Sequence, residues 1–408
     1  MTDDVTDDVT DAVTAPVPGL VAPAADAPAP RRPGRRRLAR AGILLAVVAL
    51  LSAGFWGWSV AGENRQIAAE SALTTQLDEQ TDAFNAHDAR LRNTVWLAGQ
   101  VHSVVDSAAF AGDTLAEAGA LREALAAADR IAEEQSDAEP AADDDLTTGA
   151  GYRPPWATIA DAERLEGLTR DSRRSEDRLL TAATDVTATR DSLDDAEAAY
   201  FTAAATRAEQ TISTDALSNR SLQVALLRLA EQAREPTMVN ARDGVFLAAL
   251  MGAEEQVRAS QALNEARRAD PALAVRSEIE DYARSLSNGV ALEFVWAEEV
   301  SGLGHDWLSG TAETYDTDGG WSIISLNYTI EEVWYDGPEA HALVAHEVGH
   351  AQVYRETCWP LFSGATFEQD QETWATAWSM SQGFDAGSGV EAYGRPSDEQ
   401  VAVAGQCR

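Results

Sequence analysis

The residues whose spacing best matches a known chemistry are two histidines in the segment AHEVGHAQ. His346 and His350 lie four residues apart, so on a helix both imidazoles project from one face and can share a tetrahedral cation. Glu347 leans towards the same ion, where it can accept a proton from a zinc-activated water and pass it to a leaving amine. The pattern predicts that His346 and His350 bind Zn²⁺ and that Glu347 is the general base.

A helix must carry these residues, and the sequence contains a signal for its start. The segment DGPE (336–339) combines a capping residue, an early proline and an acidic first turn. Gly349 lacks a side chain within this helix, which predicts that another segment packs closely against it there.

A catalytic zinc site also needs a third protein ligand and one open position. The segment FEQDQETWATAW (367–378) has a helical composition and offers several carboxylates. Glu368 and Glu372 are four residues apart on one face of this predicted helix, so both are candidates for the third ligand.

With these motifs the C-terminal part of the chain resembles the gluzincin metallopeptidases, in which HExxH is followed by a glutamate ligand on a second helix. The resemblance favours Glu372, in the segment ETWA (372–375), with Glu368 as the alternative. Many gluzincins have an aspartate four residues after this glutamate, where the present chain has Thr376. The resemblance therefore leaves the orientation of a histidine to Asp370 or Glu368.

The resemblance also implies a minimal zincin fold, in which an edge strand before the HExxH helix binds the substrate as an added strand. Trp321–Asn327 is the candidate for this strand. No spacing rule selects the residue that stabilises the oxyanion, although His341 points off the ligand face and is expected to be structural. The candidates are Tyr393, Tyr354, His341 and His305.

The two cysteines, Cys358 and Cys407, both lie near the C-terminus. An even pair outside the cytoplasm is typical of a disulfide. A cysteine zinc ligand is the less favoured interpretation, because its thiolate would over-complete a catalytic site.

Residues 41–62 are predicted to form a single transmembrane helix. The run AGILLAVVALLSAGFWGWSVA carries no charge and matches the roughly 20 residues that a membrane span needs. An arginine cluster precedes it, so the N-terminus is expected in the cytoplasm and the remainder outside. A cleavable signal peptide ending at SVA (59–61) is the alternative, and the 40-residue leader argues against it.

Residues 63–269 are predicted to be an extracytoplasmic helical region. Apolar and small residues alternate three and four apart from Leu165 to Tyr200, which favours a weak coiled coil. Two long helices joined by a flexible tip, residues 136–156, are interpreted as an antiparallel hairpin. The region could act as a stalk, bind a partner or self-associate through the coiled coil, or be a solvated helical rod.

The complete prediction is an α+β zincin-like domain at 270–408, preceded by the all-α, hairpin-like region and the transmembrane helix, with a disordered cytoplasmic tail at 1–40. The net charge of -36 argues against nucleic acid as a partner. The predicted function is a membrane-anchored extracytoplasmic zinc endopeptidase acting on proteins or peptides. The alternative is a cell-envelope scaffold whose zincin domain is inactive and whose helical region binds the partner.

Overall fold

A computed structural model of the chain describes residues 35–136, 153–235, 242–304, 306–385 and 389–408. Within these ranges the chain is mostly helical, with one three-stranded sheet in the C-terminal part. Most of the predicted tail at 1–40, most of the predicted tip at 136–156, and His305 lie outside the described residues. Contacts group the chain into two units, Met1–Thr74 with Leu146–Thr169, and Thr75–Asp145 with Arg170–Arg408.

The first unit contains the apolar part of α1 (Arg35–Val105) and the beginning of α4 (Pro155–Thr214). An 18-residue window of α1 has a mean hydropathy of 2.0, and none of it is buried. One helix is therefore long and apolar enough to cross a membrane, which agrees with the predicted span at 41–62.

The two long helices run parallel to each other in each unit. In the first unit Trp58 lies beside Trp156, and Arg65 donates to Glu166 further along both helices. In the second unit Gln76 donates a hydrogen bond to Glu176. Further along, Asp113, which follows α1, accepts a hydrogen bond from Tyr200 in the later part of α4.

The predicted antiparallel hairpin is therefore wrong. Between α1 and α4 the chain forms α2 (Ala108–Ala111) and α3 (Glu117–Gln135), and the segment from 106 to 154 is long enough for the chain to return before α4 begins. Most large apolar positions of the predicted seam are nevertheless buried: Leu165, Leu179, Val186, Leu193 and Tyr200.

Three further helices lead to the sheet: α5 (Arg220–Arg234), α6 (Gly244–Ala269) and α7 (Ala274–Leu286). The Asp270 side chain caps the short 3₁₀ turn Pro271–Leu273 before α7, and Pro271 occupies its first position. Glu293 in the sheet accepts hydrogen bonds from Asn219 Nδ2 (2.9 Å) and Ser221 N (3.0 Å) at the start of α5. Side-chain hydrogen bonds therefore connect the helical region to the C-terminal part.

The sheet has the order β1-β3-β2, formed by β1 (Ala291–Ala297), β2 (Gly310–Tyr315) and β3 (Trp321–Asn327). Strand β3 is parallel to β1 and antiparallel to β2. The prediction that Trp321–Asn327 is the edge strand is therefore wrong, because this strand is central. Its side chains are buried or half-buried throughout, which is typical of a strand covered on both faces. The edge strand beside the HExxH helix is β2.

After the sheet come the short α8 (Tyr328–Glu332), α9 (Pro338–Ala351) and α10 (Trp359–Phe362). The chain ends with α11 (Gln371–Ser381), α12 (Val390–Tyr393) and α13 (Asp398–Ala404). Cys358 and Cys407 form the predicted disulfide, with an S–S distance of 2.00 Å and both residues fully buried. It attaches the end of the chain to the segment that follows α9.

Candidate metal centre

Helix α9 carries the HExxH residues, and its start differs in one detail from the sequence prediction. Pro338 is the first helical residue and Glu339 lies in the first turn, as predicted. The N-cap is Gly337, however, and no side chain caps the helix, so Asp336 does not have the expected role. Nearly all residues from Ala340 to Ala351 are buried, so the helix lies in the core of the C-terminal part.

Helices α9 and α11 pack closely because Gly349 has no side chain. A Cβ atom at Gly349 would lie 3.0 Å from both the Cα and the carbonyl oxygen of Ala375. Trp374 Nε1 donates to the Gly349 carbonyl oxygen across the same contact (3.0 Å). The segment predicted to pack against Gly349 is thus α11, and this contact brings its acidic residue to the histidines of α9.

Three side chains converge where the two helices meet. His346 Nε2 lies 3.1 Å from His350 Nε2 and 3.1 Å from Glu372 Oε2, and His350 Nε2 lies 3.5 Å from the same oxygen. The two histidines are buried, whereas the Glu372 side chain is 41% exposed, which leaves the group open on one side. His346, His350 and Glu372 could hold a metal ion.

The alternative ligand Glu368 does not join this group. It lies in the turn before α11 with a φ of 50°, in the left-handed region. Asp370 caps α11, since its carboxylate accepts hydrogen bonds from Thr373 N (3.1 Å) and Thr373 Oγ1 (2.7 Å). Neither residue has the suggested role of orienting a histidine.

Thr376 contacts His346 instead. Its hydroxyl lies 3.3 Å from His346 Nδ1, so the residue four positions after Glu372 does reach the histidine, through a neutral group. Gly389 covers this pair: its φ is +86°, and a Cβ atom there would lie 2.3 Å from Thr376 Oγ1 and 2.8 Å from His346 Nδ1. Both the backbone conformation and the space therefore require glycine.

Glu347 is buried beneath the first residue of the edge strand β2. A Cβ atom at Gly310 would lie 2.8 Å from Glu347 Cγ and 3.0 Å from Oε1. Further along β2, Thr314 Oγ1 lies 3.4 Å from the His350 carbonyl oxygen, so the strand follows α9.

The centre perturbs the acid–base properties of its own members. Burial raises the pKa of Glu347, against the opposing effect of the two histidines. Hydrogen bonds with His346 and His350 hold the pKa of Glu372 well below its usual range. Burial alone would lower the pKa of His350, but Glu372 and Glu347 raise it overall.

Of the four candidates for oxyanion stabilisation, Tyr393 is the one at the centre among the described residues. Its ring is parallel to that of His346 at a centroid distance of 5.9 Å, and it remains 55% exposed. Burial and the carboxylates of Glu372 and Glu347 raise the pKa of Tyr393. No sequence signal singled it out, because α12 is a short helix whose approach depends on the whole fold.

The other described candidates are occupied elsewhere. His341 stacks on Trp334 with a centroid distance of 3.6 Å, which agrees with the structural role expected for it. Tyr354 stacks on Trp359 at 5.7 Å.

Comparison of the chain with protein-family models, with curated proteins and with solved structures gives no match.

Proposed function

We propose that this protein is a membrane-anchored, extracytoplasmic zinc metallopeptidase with a gluzincin-like centre. The observation that carries the proposal is the convergence of His346, His350 and Glu372 beside a buried Glu347. A site that only binds metal would not require Glu347 in addition to the three ligands. A hydrolytic site does require such a carboxylate, because a water molecule must be deprotonated there.

The donor set and its spacing fit zinc. Two imidazoles and one carboxylate are a known ligand set of catalytic zinc, and they leave one position open. In a tetrahedral site with bonds of about 2.0–2.1 Å, neighbouring donor atoms are about 3.3–3.4 Å apart. The three separations in this centre, 3.1, 3.1 and 3.5 Å, are close to that value. Zinc would supply Lewis acidity, polarising the scissile carbonyl and lowering the pKa of water to about 7.

Glu347, Thr376 and Tyr393 would then each have a separate role in the reaction. Glu347 would take a proton from the attacking water and return it to the amine nitrogen as the peptide bond breaks. The Thr376 hydroxyl would keep the His346 ring in the orientation that presents Nε2 to the metal. Tyr393 is exposed on the open side of the centre, where its hydroxyl could donate to the carbonyl oxygen of the substrate as negative charge develops.

The substrate would bind along the edge strand β2. This strand is terminal in the sheet, and no described strand pairs with its outer edge. An extended peptide could therefore add to Gly310–Tyr315 through backbone hydrogen bonds. Because Gly310 touches Glu347, such a peptide would pass next to the general base. The order of strands, HExxH helix and ligand helix is also that of a minimal zincin domain.

The N-terminal part of the chain supports a location of the centre outside the cytoplasm. The apolar helix could span the membrane, and the arginines at 31–40 precede it. Because basic residues favour the cytoplasmic side, the centre and the disulfide would lie in an oxidising compartment.

The test is Glu347→Gln in the full chain, purified in detergent micelles and assayed on a fluorescently labelled, unfolded protein. We expect cleavage to fall by at least about 100-fold, because the general base is lost, while the zinc content stays unchanged. Glu356→Gln, an exposed glutamate beyond α9, serves as the matched control and should remain active. Equal behaviour of the two variants across a panel of substrates would reject the peptidase and favour the inactive scaffold.

A further inference from the structure

Helix α4 begins beside the end of the apolar run of α1. The indole of Trp156, in the first turn of α4, lies 6.4 Å from that of Trp58 between ring centroids. Trp156 is 61% exposed and Trp58 is 46% exposed. Two large aromatic side chains from separate helices thus form one exposed pair.

The contact between the two helices is fixed by a glycine. A Cβ atom at Gly62 would lie 2.5 Å from Thr158 Oγ1 and 3.4 Å from the Pro155 carbonyl oxygen. Thr158 is buried and donates to that same carbonyl oxygen (2.9 Å). The first turn of α4 therefore rests directly on α1 at Gly62.

An ion pair further along both helices joins them a second time. Arg65 donates to both carboxylate oxygens of Glu166, at 2.9 and 3.0 Å. A bidentate arrangement of this kind fixes the relative position of the two helices as well as their distance. Trp156 is consequently held at the level of Trp58 along α1.

That level is the end of the apolar run. The uncharged residues stop at Gly62, and Glu63 is the first charge. Trp58 thus lies where a spanning helix leaves the hydrocarbon, and tryptophan is enriched at this depth because its ring is apolar and its N–H is polar.

We propose that Trp156 inserts, together with Trp58, into the interfacial region of the lipid bilayer that α1 crosses. The first turn of α4 then forms a second contact with the membrane besides the spanning helix. This inference rests on the membrane span of the proposed function and is independent of the peptidase activity. The lipid interface is favoured as the occupant because the exposed pair is continuous with the apolar surface of α1.

The experiment uses the full chain reconstituted into phosphatidylcholine–phosphatidylglycerol vesicles, prepared with and without bromine at the upper part of the acyl chains. Bromine quenches tryptophan fluorescence at short range, so the difference between the two preparations measures interfacial indoles. We expect Trp156→Phe to remove about a third of the quenched intensity if Trp56, Trp58 and Trp156 contribute equally at the interface. Trp58→Phe should remove a similar share.

Trp96→Phe is the matched control, since Trp96 is also exposed on α1 but lies well beyond the apolar run. It should leave the quenched intensity unchanged. If Trp58→Phe reduces the quenching and Trp156→Phe does not, the span is correct and the proposed contact is wrong. Absence of quenching in the unaltered chain would overturn both the span and the contact. Far-UV circular dichroism of each variant confirms that the helices are retained.

Discussion

At the scale of single residues, the spacing in the sequence does not decide which of two glutamates, Glu372 or Glu368, is the third ligand of the centre. Glu372 Oε2 lies 3.1 and 3.5 Å from the two histidine Nε2 atoms. Glu368 precedes the same helix in a left-handed turn and does not belong to the converging group.

Glu372→Ala should therefore abolish zinc retention, whereas Glu368→Ala should not. Loss of a direct ligand is expected to weaken zinc binding by more than about 100-fold, beyond the effect of losing an outer partner. The measurement is the zinc dissociation constant by competition with a chromogenic chelator, together with metal content after dialysis. The assignment is wrong if the Glu368 variant loses zinc and the Glu372 variant keeps it.

The HExxH residues could be predicted from sequence because their geometry is local. A spacing of four residues on a helix brings His346 and His350 to one face, whatever surrounds the helix. Tyr393 could not be selected in this way, since its approach to His346 depends on a separate short helix and on the positive φ of Gly389. The contact of Thr376 with His346 depends likewise on the packing of α11 against α9.

At the scale of elements, predictions of helix and strand that depend on neighbouring residues agree with the structure, whereas the predicted hairpin and edge strand, which depend on contacts between distant segments, do not. The helical character of α1 and α4 follows from periodicity, but the break between α1 and α3 was not predicted. The direction of α4 relative to α1 and the central position of β3 depend on partners distant in the sequence. An apolar run such as WSIISLN indicates a strand but not which neighbours pair with it.

The packing of α9 on α11 gives the prediction at this scale. In Gly349→Ala the new Cβ would lie 3.0 Å from two backbone atoms of Ala375, so the helices must move apart. We expect a loss of about 1–3 kcal/mol in the free energy of unfolding, and weaker zinc binding because Glu372 moves with α11. The midpoint of urea denaturation and the zinc dissociation constant measure the two effects.

Gly252→Ala is the control for this change, because Gly252 lies within α6 and the new Cβ would meet no atom within 4 Å beyond its chain neighbours and the backbone of its own helix. Alanine there should be neutral or stabilising by up to about 1 kcal/mol, from the difference in helix propensity. Similar destabilisation by both changes would show that the α9–α11 contact is not special.

At the scale of the whole molecule, the question is whether the predicted boundary near residue 270 separates independent domains. Glu293 is buried in β1 and accepts hydrogen bonds from Asn219 and Ser221 at the start of α5. Arg228, further along α5, pairs with Asp318 in the turn between β2 and β3 (3.0 Å). The helical region thus bonds to two parts of the sheet, including the turn that ends the edge strand β2.

Glu293→Ala should consequently destabilise the helices although the change is made in a strand. It would leave the amide of Asn219 and the backbone N–H of Ser221 without their acceptor, at a cost of about 1–3 kcal/mol. Circular dichroism at 222 nm reports mainly the helices, so its denaturation midpoint should fall. Glu313→Ala is the control, as Glu313 is exposed on β2 and its carboxylate accepts a hydrogen bond from the nearby Tyr315 hydroxyl. If the helical transition is unchanged in the Glu293 variant, the two parts unfold independently. If it falls as expected, the edge strand and the helical region belong to one cooperative unit, and a partner bound to the helices could then influence the edge proposed to bind the peptide.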